Sequence, residues 1–222
     1  MKLVFISDTH CQLQKLIEKG LPKGDVLIHS GDTLSYGSMP EYVQFIEHLK
    51  SIKNNYKLII YVPGNHDRIV EEQTLLCREI LKQKIKNSTM LIDEEFTLNG
   101  IKFYGSPRTP EFFDWAFMYK RGKKAELIWS NIPDDTDILI THGPPKGILD
   151  KVGFDFRNAD REIRVGCSEL KNRINKVKPI IHTFGHIHTN YGTYKKEETI
   201  FINASNCNSE YFITNKPIVM EI

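Results

Sequence analysis

At 222 residues the chain is long enough to bury one substantial core, and 40% hydrophobic with 26% charged content is typical of a soluble globular protein. A formal net charge of +2 is too small to make a nucleic-acid or membrane surface by bulk charge. No apolar run approaches the roughly 18–20 residues that span a bilayer.

The chain opens on an apolar run, residues 2–7, that reads as a buried strand, and Leu13, Leu16 and Ile17 then repeat at helical spacing. Residues 25–30 form the next strand. Tyr42, Val43, Phe45, Ile46 and Leu49 mark an amphipathic helix that Pro40 and Glu41 open. A third strand, residues 57–62, stops at Pro63-Gly64, and one long helix is predicted over about residues 69–84. Short strands follow at 90–93, 95–98 and 101–104, with Asn99-Gly100 as a type I′ hairpin turn. A helix at about 123–129 precedes a strand at 137–141. Residues 161–176 read as helix, 179–184 as strand, 191–195 with 199–203 as a hairpin, and 218–222 as a closing strand.

No repeat, low-complexity tract or linker divides the sequence, so residues 1–222 read as a single domain. Segment 143–164, with Pro144-Pro145, Gly147 and Gly153, is the main irregular stretch; it follows His142 directly and reads as the rim of a site or as a surface excursion. The basic runs 82–86 and 120–124 read as solvated helix faces, since no aromatic residues interleave with them. The N-terminus enters its first strand without a charged-then-apolar leader, and cleavage there would remove Asp8. Cys11, Cys77, Cys167 and Cys207 lie far apart, which fits reduced thiols in a cytoplasmic protein.

The informative residues sit where the apolar strands stop: Asp8-Thr9-His10, Gly31-Asp32, Gly64-Asn65-His66-Asp67, His142-Gly143 and Gly185-His186-Ile187-His188. Strand ends are where open α/β sheets gather ligand-binding groups. Carboxylate, imidazole and amide ligands delivered there can hold hard or borderline divalent cations, and two at once if one carboxylate bridges. Such a pair, roughly 3.5–4 Å apart, drives attack of water on phosphorus. Each piece alone is weak, since a lone His is more often a satisfied core residue; the ordered conjunction after successive strands is what points to a metal site.

In these motifs the chain resembles the calcineurin-like metallophosphoesterases, whose pattern of Asp-x-His, Gly-Asp, Gly-Asn-His-Asp/Glu, His and Gly-His-x-His is complete here. It is most similar to the subgroup of metallophosphoesterase domain-containing proteins, through residues 141–147 (Thr-His-Gly-Pro-Pro-Lys-Gly), 164–167 (Arg-Val-Gly-Cys), 184–188 (Phe-Gly-His-Ile-His), Tyr191-Gly192, Asn203-Ala204-Ser205 and Pro217-Ile218-Val219. The resemblance implies an α/β fold, a four-layer αββα sandwich of two mixed β-sheets flanked by helices. It implies one metal site of Asp8, His10, Asp32 and His188, with Asp32 bridging to a second completed by Asn65, His142 and His186. His66 is then expected off the metals, facing the substrate, with Asp67 as its orienting partner.

Two divalent ions, two carboxylates and a bridging hydroxide leave roughly +1 at such a site, which draws in phosphate esters. The function implied is hydrolysis of phosphodiester bonds in small substrates such as cyclic nucleotides, by in-line attack of the bridging hydroxide with His66 assisting the leaving group. The implied cofactors are two divalent metal ions, with Mn²⁺ favoured and iron, zinc or magnesium as alternatives. A phosphomonoesterase or protein phosphatase is the alternative within catalysis, but residues 31–36 (Gly-Asp-Thr-Leu-Ser-Tyr) lack the arginine those enzymes place after Gly-Asp. A metal-binding interaction scaffold is the alternative outside it. The expected partner is a small phosphodiester or nucleotide, with no stable nucleic acid and no membrane.

Other residues invite weaker readings. Cys11 reads as a passive small residue beside His10, His29 and His182 as core or supporting groups, and His48 as surface. Arg68 and Arg108 carry no diagnostic spacing, and Arg108 stands where the subgroup tends to place an aromatic residue. The aromatic stretch 112–119 is read as core packing rather than as a stacking surface.

Overall fold

The structure, a computed structural model, describes residues 1–155 and 158–222, with the backbone alone described for residues 154, 155 and 158–161. In chain order the strands are β1 (Lys2–Ile6), β2 (Val26–His29), β3 (Leu58–Tyr61), β4 (Ser88–Met90), β5 (Glu94–Leu98), β6 (Ile101–Ser106), β7 (Thr109–Pro110), β8 (Met118–Tyr119) and β9 (Ile138–Thr141). They continue as β10 (Lys151–Asp155), β11 (Asn158–Arg164), β12 (Ile181–Phe184), β13 (Gly192–Lys196), β14 (Thr199–Asn203) and β15 (Ile218–Glu221). The α-helices are α1 (Leu13–Glu18), α2 (Met39–Ile52), α3 (Arg68–Glu72), α4 (Thr74–Lys84), α5 (Lys123–Ser130) and α6 (Ser168–Val177).

One large sheet has the order β15-β1-β2-β3-β4 and the other β13-β14-β12-β9-β6-β5. The inner strands run parallel, while β15, β13 and β5 are antiparallel edges. Strand side chains alternate faces, so a strand buried on both sides feeds two cores. Leu3, Phe5, Val26, Ile28, Leu58 and Ile60 meet Phe103, Ile138, Ile140, Ile181 and Ile202 of the other sheet in a central core. The alternate residues Val4, Ile6, Leu27, Ile59 and Tyr61 pack outward against α1 to α4. Tyr104, Leu139 and Phe201 do the same against Ala125 and Trp129 of α5 and Leu170 and Ile174 of α6. Helix, sheet, sheet, helix is therefore the layering, as the resemblance implied.

Local signals explain most elements. Ser38 and Glu41 form a capping box at the start of α2, with Pro40 in its first turn. Asn99 and Gly100 both take positive φ, +50° and +81°, as a type I′ turn requires. Several expectations need correction. The helix expected over 69–84 breaks at Gln73, whose φ of −131° is not helical, and the Thr74 hydroxyl donates to the Val70 carbonyl across the break. Residues 161–164 belong to β11, and α6 starts only at Ser168, capped by Cys167 Sγ accepting from Leu170 N. The segment 143–164 thus carries a hairpin, β10 with β11, tied down by Arg164 to Asp150 at 2.9 Å. Only Met90 of the strand expected at 90–93 is in a strand, and it ends β4 before the chain crosses to the second sheet. Among the described residues no helix is long and apolar enough to cross a membrane.

The parallel strands set up the site. β1, β2 and β3 in one sheet and β9 and β12 in the other all release their chains at carboxyl ends. The two sets of loops are stitched together: Ser7 bridges to Ser205, and Ser30 Oγ lies 3.3 Å from Thr183 Oγ1.

Candidate metal centre

The loop after β1 supplies Asp8 and His10, the loop after β2 Asp32, the loop after β3 Asn65 and His66, and the loops after β9 and β12 His142, His186 and His188. The structure brings the ligating atoms of Asp8, His10 and His188 within 4.8 Å of one another, and likewise those of Asp32, His142 and His186. His10, Asp32 and His66 form a third such group. Asp32 stands between them: Oδ1 lies 3.2 Å from His142 Nε2, and Oδ2 lies 3.9 Å from His10 Nε2 and 4.0 Å from His66 Nε2.

Backbone carbonyls aim the imidazoles. Nδ1 of His10 donates to Leu34 O, of His66 to Ser35 O, of His142 to Ser30 O and of His188 to Asn208 O, at 2.7–3.1 Å. With the proton on Nδ1, each Nε2 lone pair faces the centre. His10 Nε2 and His188 Nε2 are then 3.3 Å apart, and Asn65 Oδ1 is 3.0 Å from His142 Nε2. With the imidazoles neutral, acceptor would face acceptor in each pair, a conflict that a bound cation, or a proton on one partner, relieves. The mixed oxygen and imidazole donors suit a divalent metal.

The charges agree. Burial would raise the Asp8 carboxyl, but the hydrogen bond and charge of His188 hold it well below the ordinary range. Burial opposes ionisation of Asp32 as well, and His142 outweighs it. Burial alone would depress His142, yet the Asp32 carboxylate lifts it to about 9. A proton on His142 thus occupies the place of a cation. Burial pushes His10 down to about 4 and His186 to about 3, which leaves both imidazoles as neutral ligands.

The backbone is strained at the same residues. Asp8, His10, Asp32 and His186 have φ of +51°, +39°, +54° and +67°, each costing on the order of 1–2 kcal/mol for a residue with a Cβ. Strain of this kind concentrates where side-chain aim outweighs local comfort.

A profile of the calcineurin-like phosphoesterase family matches residues 1–190, the span that contains all of these loops. The chain belongs to the calcineurin-like phosphoesterases. Metallophosphoesterase domain-containing protein 1 of Homo sapiens is 37% identical over 243 residues, covering 100% of this chain and 71% of the human protein. UPF0046 protein K07C11.7 of Caenorhabditis elegans is 35% identical over 232 residues, covering 100% of this chain and 75% of its own. In fold alone, TT1561 of Thermus thermophilus superposes with a TM-score of 0.60 at 12% identity, over 91% of this chain and 88% of that one. This is a family of metal-dependent phosphoric ester hydrolases, and the phosphoesterase described here carries His and Asp clusters able to bind metal.

One expectation about this phosphoesterase needs correcting. Asp67 makes no described hydrogen bond to His66; its buried carboxylate accepts from Thr33 N and Oγ1, Leu34 N and Gly64 N at 2.7–3.0 Å. It braces the loops that carry Asp32 and Asn65, and Ser35 O orients His66 instead. Burial and the nearby charge of Asp32 raise Asp67 to about 6.

Sequence reading also passed over Ser205, whose hydroxyl donates to Asp8 Oδ2 at 2.8 Å, although its Asn-Ala-Ser motif marked the place. It passed over Tyr211, whose ring lies 4.7 Å from that of His10 and 5.1 Å from that of His188, and for which no motif gave a signal. His29 and His182 support threonines, Thr9 at 3.0 Å and Thr141 at 2.8 Å. Arg108 pairs with Asp93. The aromatic stretch divides: Phe117 and Tyr119 are buried, while Phe112, Phe113 and Trp115 line a pocket of about 490 Å³ over the metal centre.

Gly185 is fixed by close approach. A Cβ there would stand 2.0 Å from Asp8 Oδ2 and 2.1 Å from Ser7 Oγ, both in buried surroundings. Gly185→Ala is therefore expected to cost about 1–3 kcal/mol of stability and to displace Asp8. Denaturant unfolding checks it; an unchanged midpoint with full metal binding would contradict the packing described.

Proposed function

We propose that this chain hydrolyses phosphodiester bonds of small substrates, with cyclic nucleotides and similar nucleotide diesters as the class, and that residues 1–222 form one domain for this purpose. The observation that supports it is the pair of His and Asp clusters on either side of Asp32, which would place one divalent ion on each side of that carboxylate. Asp8, His10, Asp32 and His188 would hold one ion, and Asp32, Asn65, His142 and His186 the other, with Mn²⁺ the favoured metal. Ions bound there supply an activated water and neutralise phosphate charge.

The residues around that chemistry do the rest. Ser205 and the His186 amide hold the Asp8 carboxylate in one orientation through hydrogen bonds of 2.8–3.0 Å. His66, aimed by Ser35 O, presents Nε2 to the pocket, and as an imidazolium it would pass the Nε2 proton to the leaving oxygen. Arg121, which lines the pocket, donates to the carbonyls of Val165 and Gly166. It therefore does not supply the bidentate clamp that a dianionic monoester favours. The free thiols fit a reducing compartment, and we place the protein in the cytoplasm on that ground.

Hydrolysis of bis-p-nitrophenyl phosphate with and without Mn²⁺, set against p-nitrophenyl phosphate, tests this reading. Metal-dependent turnover favouring the diester is expected. A monoester preference would support the phosphatase alternative, and no turnover with any divalent metal the scaffold.

Metal binding should depend on pH in a stated direction. His142 must lose its proton to ligate, and with its pKa lifted to about 9 that proton competes at every lower pH. Apparent Mn²⁺ affinity of the metal-free protein is expected to rise about tenfold per pH unit up to that value. Calorimetric titration in buffers of different ionisation enthalpy reads the released proton; a flat profile from about pH 7 to 9 would contradict the role of His142.

A further inference from the structure

We infer that Phe113, together with Phe112 and Trp115, forms an aromatic shelf that selects phosphoesters bearing a planar aromatic group. The inference rests on the phosphoesterase reading and deepens it, since the shelf and the metal centre share one pocket.

These rings are placed by the site itself. The segment between β7 and β8 is clamped to the loop after β3 and to α3, with Ala116 N donating to Asn65 O at 3.1 Å and Phe117 N to Glu71 Oε1 at 2.8 Å. The Trp115 ring lies 4.2 Å from that of His66, at an interplanar angle of 33°. The Phe112 ring meets the edge of His186 at 5.2 Å and that of Phe113 at 5.8 Å. Phe112 and Trp115 are thus braced against side chains of the centre, while Phe113 stands out beyond them.

Phe113 itself is not explained by packing. It is 87% exposed and held at φ +50°, a conformation that a residue with a Cβ rarely adopts. Phe117, four residues on, also has positive φ (+58°) but is 3% exposed and belongs to the core. A strained, exposed phenylalanine on the wall of a substrate-sized pocket fits a face kept free for a ligand. Pro144, Val152 and Val165 line the same pocket, so its walls away from the metal centre are largely apolar. The occupant those walls fit is the organic part of a phosphoester, a flat ring rather than a second phosphate.

Calorimetry on Mn²⁺-loaded protein with non-hydrolysable phosphonates tests the shelf without using turnover. Phenylphosphonate is expected to bind about tenfold more tightly than methylphosphonate, the upper weight of one aromatic pair. Cyclohexylphosphonate, of similar size but not planar, should fall well short of it. Phe113→Ala should bring the phenyl-to-methyl ratio close to one, and Phe113→Trp should keep it. Phe113 is so exposed that neither change threatens the fold. Equal affinity for phenyl and cyclohexyl compounds would overturn the inference, as would a phenyl preference left untouched by Phe113→Ala. Binding of neither phosphonate, both dianions like a monoester, would overturn the shelf, and the metal-dependent hydrolysis of bis-p-nitrophenyl phosphate decides the diesterase reading separately. Equal binding of methyl and phenyl compounds would likewise overturn the shelf alone.

Discussion

Asp32→Ala is expected to empty both halves of the metal centre and abolish turnover. Asp32 turns Oδ1 toward His142 and Oδ2 toward His10, so one truncation removes a ligand from each cluster. It also removes the charge that holds His142 protonated in the metal-free protein. Breaking a buried ion pair commonly costs about 3–5 kcal/mol, but His142 can shed its proton and avoid most of that loss. Thermal stability of the metal-free protein is thus a poor reporter, and metal content is the proper one. After reconstitution and desalting, elemental analysis should find essentially no Mn²⁺, with hydrolysis reduced by at least about 10³-fold. A variant that keeps both ions would show that the bridge is misassigned.

His66→Ala should behave in the opposite way, keeping the metals and losing rate. Its Nε2 lies 4.0 Å from Asp32 Oδ2, close enough to join a ligand group with His10 and Asp32, yet it also lines the pocket. If it serves the leaving oxygen, removal costs about 10²–10⁴-fold in kcat with metal content unchanged. The loss should be smaller for a p-nitrophenolate leaving group, which departs without a proton, than for an alkoxide. A leaving-group series read beside elemental analysis separates the roles. Loss of one metal on His66→Ala would place His66 among the ligands.

Much of this was legible in the sequence because fold and site share one grammar. Apolar runs such as those ending at Ile6, His29 and Tyr61 mark strands buried on both faces, and the polar clusters that follow mark their carboxyl ends. The ordered polar clusters after successive strands, with the family resemblance they carry, pointed to Asp8, Asp32 and the histidines as potential ligands. They did not carry the ligands' aim. The carbonyls of Ser30, Leu34, Ser35 and Asn208 that set the imidazole tautomers are backbone atoms with no side-chain signature. Left-handed backbone at Asp8, His10 and Asp32 is imposed by tertiary contacts and contradicts local preference. Asp67 shows the same limit, since adjacency to His66 suggested a partner while the chain turned its carboxylate into the neighbouring loops. The hairpin of β10 and β11 was hidden because few apolar residues mark it in the sequence, and without them periodicity is a weak guide.

The most direct measurement is anomalous scattering from crystals of the Mn²⁺-loaded protein. The account expects two manganese peaks roughly 3.5–4 Å apart, with the Asp32 carboxylate between them, one beside Asp8, His10 and His188 and the other beside Asn65, His142 and His186. A single peak, or a pair lying away from Asp32, would contradict it.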